Sequence, residues 1–189
     1  MKNRTQVIRY IPNKQQHKWG IKLYSVTESA TGYSMYTSVY CGKRREQPAS
    51  EHGLSYDVVQ RLITESHLSN KRYHMFVDNF YTSVILARAM FDQGVILTGT
   101  LRANRNGIPK MVKEAKPKVQ ECVYARNGHT LMLSCKDKPS QKKPCLMLST
   151  GISAGMVDHQ LGGGQSTKRK PEVISEYNKH MGWPLLIKG

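Results

Sequence analysis

The chain has 189 residues, enough for one domain or one domain with an insertion. Its hydrophobic content of 39% permits a core, while no stretch approaches the ~20 consecutive apolar residues of a membrane span. A surplus of 29 Lys and Arg over 13 Asp and Glu gives a net charge of +16, which attracts polyanions, nucleic acid above all, by counterion release. A solvated basic surface, or half of a protein whose acidic part lies elsewhere, is the competing reading.

In chain order, residues 1–17 read as irregular, since Pro12, Asn13 and the Lys14-Gln15-Gln16 run break any periodicity. Alternation from Trp19 to Val26 predicts a strand, with a turn over Thr27–Gly32 and a second, β-branched and aromatic arm over Tyr33–Tyr40. The aromatic residues of these arms (Trp19, Tyr24, Tyr33, Tyr36, Tyr40) are read as core or sheet surface rather than as stacking platforms. After a charged loop over Gly42–Gly53, Leu54, Val58, Leu62 and Ile63 recur at helical spacing. A strand over Tyr73–Val77 then delivers Asp78 at its tip, and a helix is expected over Thr82–Asp92, stopped by Gln93-Gly94. Val95–Thr98 reads as another strand. The order β-β-α-β-α-β implies an α/β fold with a mixed sheet.

Beyond Thr100 the character changes. Residues 102–118 carry Arg102, Arg105, Lys110, Lys113, Lys116 and Lys118 against Glu114 alone. Val119–Arg126 and Thr130–Lys136 flank Asn127-Gly128, a hairpin signal. Leu146–Ser149 suggests a short strand, Gly151–Lys170 a Gly-rich flexible loop, and Glu172–Met181 a helix with Pro171 at its first turn. The organisation expected is a core over 1–101, a basic β-rich insertion over 102–170, and a returning helix with a tail over 171–189.

Cys41, Cys122, Cys135 and Cys145 form no C-x-x-C pair, and the seven His residues show no metal-ligand spacing. The cysteines are expected to be reduced and buried, as in an intracellular protein; Cys122 and Cys135 could face each other across the hairpin as thiols rather than as a disulfide. Nuclear or cytoplasmic localisation follows, with no membrane partner. Lys168-Arg169-Lys170 is more simply solvated surface than an import signal.

Several ordered motifs carry a family resemblance. They are Tyr10-Ile11-Pro12-Asn13-Lys14, Lys18-Trp19-Gly20-Ile21-Lys22, Val77-Asp78-Asn79-Phe80-Tyr81-Thr82-Ser83, the run Gly99–Pro109, and Tyr177-Asn178-Lys179-His180-Met181-Gly182. Together, from about Arg4 to Gly182, they resemble the piggyBac family of DNA transposases. The resemblance implies an RNase H-like catalytic fold with three Asp residues binding two Mg²⁺ ions for in-line attack on DNA phosphates. Asp78 matches the second of these. The first is expected upstream of the Tyr10 motif and the third after Gly182, where the chain instead reads Trp183-Pro184-Leu185. The family's cysteine-rich DNA-binding module is also not matched.

The expectation is therefore an incomplete RNase H-like mixed sheet with helices and a β-rich insertion. One carboxylate cannot hold two metals, so Asp78 is read as a vestigial catalytic residue and ancestral Mg²⁺ ligand, more simply a group satisfying loop amides or capping the next helix. No cofactor is assigned to the chain itself. Arg102, Arg105, Lys110 and Lys113 are the candidate contacts to DNA phosphates. Three readings stay open: an inactive transposase-derived fragment with sequence-tolerant DNA binding, a piece of a longer active transposase, and an interaction module that pairs with a longer transposase-like protein or with nothing. In such a sheet the first strand lies centrally. Without it two strand edges would be exposed unless Thr5–Arg9 filled in, and low stability is expected.

Overall fold

A computed structural model describes residues 7–10, 19–41, 50–160, 167–181 and 186–188. Its elements are β1 (Ile8–Tyr10), β2 (Trp19–Ile21), β3 (Leu23–Glu28), β4 (Ser34–Val39), α1 (Leu54–Glu65), β5 (His74–Val77), α2 (Val84–Asp92), β6 (Ile96–Leu101), α3 (Lys110–Lys113), β7 (Cys122–Asn127), β8 (Thr130–Cys135), β9 (Cys145–Ser149), β10 (Met156–Gln160), β11 (Thr167–Pro171), α4 (Glu172–His180) and β12 (Leu186–Lys188). Eight strands form one mixed sheet in the order β4-β3-β12-β5-β6-β9-β8-β7. The pairs β1-β2 and β10-β11 stand apart as two-stranded ribbons. The α/β architecture read from the periodicity is present, and β7 to β9 extend the same sheet past β6.

Side-chain alternation divides the core between the two faces of this sheet. Met75 and Val77 of β5, Leu97 and Leu101 of β6, Met132 of β8 and Leu146 and Leu148 of β9 pack with α1 and α2. The helices meet them with Val58, Val59, Leu62 and Ile63 from α1 and Val84, Leu86, Ala87 and Met90 from α2. The alternate positions Leu131, Leu133 and Cys135 of β8 and Met147 of β9 face α4 through Val173. Also on that face, His74 and His180 stack against Phe76, with ring centroids 4.2 Å and 4.8 Å away. Buried hydroxyls there are satisfied in a chain: His74 Nε2 to Thr98 Oγ1 at 2.8 Å, and Thr98 Oγ1 to Ser149 Oγ at 2.7 Å.

Five expectations need correction. The strand expected over Trp19–Val26 breaks at Lys22, with its first part in the β1-β2 ribbon and its second in the main sheet. Consequently Trp19 is exposed, as is Tyr33 beyond the hairpin turn, whereas Tyr24 is buried. Of Thr5–Arg9, offered as a fill-in strand, Ile8 and Arg9 pair with β2 and take no place in the main sheet, and Thr5 and Gln6 lie outside the described residues. The gap between β3 and β5 is filled by β12, parallel to β3 and antiparallel to β5. Backbone groups on the two strands thus find partners from the far end of the chain, which composition and periodicity do not encode.

Much of the stretch from Gly151 to Lys170, read as loop, forms the arms of the β10-β11 ribbon, paired from Met156↔Pro171 to Gln160↔Thr167. Cys122 and Cys135 are joined in a disulfide, with Cα atoms 4.3 Å apart. They face each other across a narrow rung of the β7-β8 ladder, and that separation suits a bridge as well as it suits two thiols. The hairpin turn also falls one residue later than the Asn127-Gly128 signal suggests. Asn127 pairs with Thr130, so Gly128 and His129 make the turn, and Gly128 takes φ +57° at its first position.

Candidate nucleic-acid interface

Asp78 directly follows β5, at the end where β5 runs parallel to β6. The turn after it is tightly fixed. Asp78 Oδ1 accepts from the Phe80 N–H at 2.9 Å, and the Asp78 carbonyl accepts from Thr82 Oγ1 at 2.8 Å and from the Thr82 N–H at 3.1 Å. The helix cap is Ser83, whose Oγ accepts from the Leu86 N–H at 3.2 Å. Of the two non-catalytic roles considered for Asp78, satisfaction of a loop amide is therefore the one present.

Gly99 explains how the turn packs so closely on β6. A Cβ at that position would lie 2.6 Å from the Val77 carbonyl oxygen and would also collide with Thr82 Oγ1. Only a residue without a side chain lets the buried Thr82 sit against the strand. The Gly99 that opens one of the recognised motifs thus has a steric origin.

Two of the four basic residues singled out from the sequence are tied to this turn. Arg102, exposed, donates from Nε to Asn79 Oδ1 at 3.0 Å. Arg105, half-buried, donates from Nη2 to the Phe80 carbonyl at 2.5 Å. Lys110 and Lys113 lie farther along on α3, a single helical turn started by Pro109 and anchored by the buried Val112. Both lysines are exposed, as are Lys116 and Lys118. The structure therefore brings Arg102 and Arg105 to Asp78 and leaves Lys110 and Lys113 on the adjoining basic surface.

Several side chains at this corner were not singled out by sequence reasoning. Lys22, at the break between β2 and β3, places Nζ 5.0 Å from the Tyr24 ring centroid, 5.3 Å from Phe80 and 5.5 Å from Tyr40. These aromatic faces hold the cation by their quadrupoles. The Tyr81 hydroxyl is pushed well above the ordinary phenol range by burial, then by Tyr24 and the Asp78 charge. The Tyr177 hydroxyl on α4 is raised by burial, and Asp78 and Cys145 add to the shift while a hydrogen bond from Thr100 opposes it. Tyr177 lies within a recognised motif, and Asn79 and Tyr81 neighbour Asp78, so motif membership was the available signal for all three.

A pair of Mg²⁺ ions would require several oxygen ligands converging at short distance. Among the described residues no group of three or more His, Cys, Asp or Glu is placed to hold a metal. Asp78 contributes one carboxylate, and one of its oxygens already receives a backbone N–H. The described residues do not by themselves fit a two-metal centre.

The fold and this corner define a class. The family model described as transposase IS4 matches residues 1–184, and the chain belongs to that transposase family. Its type is piggyBac. A piggyBac transposase, solved by cryo-EM in a synaptic complex with hairpin DNA, matches 94% of this chain at 26% identity with a TM-score of 0.74. The chain spans 35% of the length of that transposase. Among the described residues, no helix is long and apolar enough to cross a membrane.

Proposed function

We propose that this chain is a piggyBac-derived DNA-binding module that grips phosphates along the Asp78 corner and carries out no metal-dependent strand cleavage by itself. The observation that carries the proposal is the pair of arginines fastened to the turn after β5, Arg102 on Asn79 and Arg105 on Phe80. Fastening reduces the entropy lost when a guanidinium meets a phosphate, and the exposed Lys110 and Lys113 extend the positive surface. The net charge of +16 supplies the long-range attraction. The strand order β4-β3-β12-β5-β6 supports an RNase H-like reading of the core, with β12 in the central place expected of that fold's first strand but running in the opposite direction.

A labelled duplex followed by fluorescence anisotropy tests this across a salt series. Affinity should fall steeply with salt and should need no Mg²⁺, persisting in EDTA. Each phosphate contact contributes a log–log slope of about −0.9, so a variant combining Arg102→Ala, Lys110→Ala and Lys113→Ala should flatten the slope by roughly three. Affinity indifferent to salt, or no retention of DNA, overturns the proposal.

A second reading has one observation in its favour, the 35% coverage of the matched transposase. If a longer polypeptide supplies further carboxylates, Asp78 stands at a rigid strand end where a metal ligand belongs. Mg²⁺-dependent nicking of supercoiled DNA that disappears in Asp78→Asn would establish that reading in place of the first.

A further inference from the structure

We propose that Cys122, Cys135 and Cys145 form an intramolecular thiol–disulfide exchange site, in which Cys135 bonds alternately to Cys122 and to Cys145. The sheet register carries the argument. Cys135 of β8 stands directly opposite Cys122 of β7 on one side and directly opposite Cys145 of β9 on the other. Directly opposed residues in an antiparallel sheet share a face, so the three side chains lie in one row perpendicular to the strands.

Both bonds are within reach. The Cα atoms of Cys122 and Cys135 are 4.3 Å apart, the close spacing of a non-hydrogen-bonded pair. The next residue, Lys136, directs its N–H to the Glu121 carbonyl and its carbonyl to the Gln120 N–H, so the Cys135 backbone groups turn toward β9. Cys135 and Cys145 are then a hydrogen-bonded pair with Cα atoms about 5.5 Å apart, inside the Cα span that a disulfide bridges, and their Cβ atoms must close by about 1 Å for the bond to form. Cys122 and Cys145 are two strand spacings apart, roughly 9–10 Å, beyond that span. The central sulfur is the only one that can be shared.

The row also sets the geometry of the reaction. The Cys145 thiolate attacks Cys135 Sγ from the side opposite the existing bond, aligned with the leaving sulfur. The Cys135–Cys145 bond forms, the Cys122–Cys135 bond breaks, and Cys122 departs as a thiolate that takes up the proton Cys145 gave up. One disulfide replaces another, so no oxidant or reductant is consumed. Burial protects the shared position: Cys135 is 2% exposed within the apolar cluster of Leu131, Leu133 and Met147. Cys122 and Cys145 are partly exposed and can trade protons with water, while burial pushes the Cys145 thiol up, so the attack is faster in alkaline solution.

Acid quenching of the oxidised full chain, labelling of free thiols with N-ethylmaleimide and trypsin digestion without reduction test the proposal. Cleavage after Lys118, Arg126, Lys136 and Lys142 separates the three cysteines. Two products are expected in the wild-type chain: a Cys122–Cys135 bridge with label on Cys145, and a Cys135–Cys145 bridge with label on Cys122. Cys145→Ser should give only the Cys122–Cys135 bridge, and Cys122→Ser, oxidised with glutathione disulfide, should give the Cys135–Cys145 bridge. A chain isolated reduced is first oxidised in the same way. Absence of the Cys135–Cys145 product from both the wild-type chain and Cys122→Ser overturns the proposal, as does label on Cys122 in Cys145→Ser.

Discussion

The two halves of the large sheet are held in different ways. Around β5 and β6 the chain works locally: strand, turn, helix and strand follow one another within thirty residues, and Met75, Phe76, Val77 and Leu97 are fully buried. The β3-β4 hairpin is looser, with Leu23 and Val39 exposed. Within the sheet it meets the β5 half through β12, which pairs with β3 at two positions and with β5 at three. Other ties are side-chain contacts, such as Ser29 Oγ with His180 Nδ1 at 3.1 Å and Lys22 over Phe80. The lesson is that the Asp78 corner sits on the self-sufficient half, while the junction with the hairpin depends on the far end of the chain.

The largest effect should come from the tight half. Gly99→Val inserts a side chain into the contact between β6 and the Asp78 turn, and should destabilise by about 3 kcal/mol, read from urea unfolding. Little change would mean that the turn is not held as described, and the contrast between the halves would weaken.

Alkaline unfolding probes the corner where the halves touch. Tyr81 and Tyr177 both have hydroxyl pKa values raised in the folded state by burial. The neutral phenols therefore favour folding, and this contribution is complete below the unfolded value near 10. As pH rises past ~10 the unfolded chain loses these protons first, so stability falls through the alkaline range, by less than the full linkage slope for each tyrosine because neither hydroxyl is fully shielded from water. Tyr81→Phe should make that fall shallower in alkaline urea titrations, and an unchanged slope would contradict the burial of Tyr81.

The smallest and most selective effect belongs to the junction. Ile187→Pro removes one backbone donor from β12. Amide exchange in β3 should become faster by a factor corresponding to about 1 kcal/mol, with β6, β8 and β9 unchanged. Equal loss in both halves would show that they open as one unit.

Legibility followed the same division. The α1 stripe of Val58, Leu62 and Ile63, the strand before Asp78 and the stop at Gly94 were readable because helical and strand periods arise from neighbours in sequence. Arg102 and Arg105 were readable as a basic cluster, yet their attachment to Asn79 and Phe80 was not, since hydrogen bonds across more than twenty residues leave no periodic trace. Asn127-Gly128 announced a hairpin, but the turn fell one residue later because cross-strand pairing sets the register.

The sequence alone determined the charge, the order of the core elements and the family motifs, including the Gly99 that its neighbours require. Tertiary structure decided the rest. It broke the first strand at Lys22, set β10 against β11, aligned three cysteines on one rung and drew β12 into the centre of the sheet. The physical reason is common to all four. Backbone donors and acceptors at a strand edge must be paired wherever a partner can reach them, and which segment reaches them depends on the whole fold rather than on local pattern.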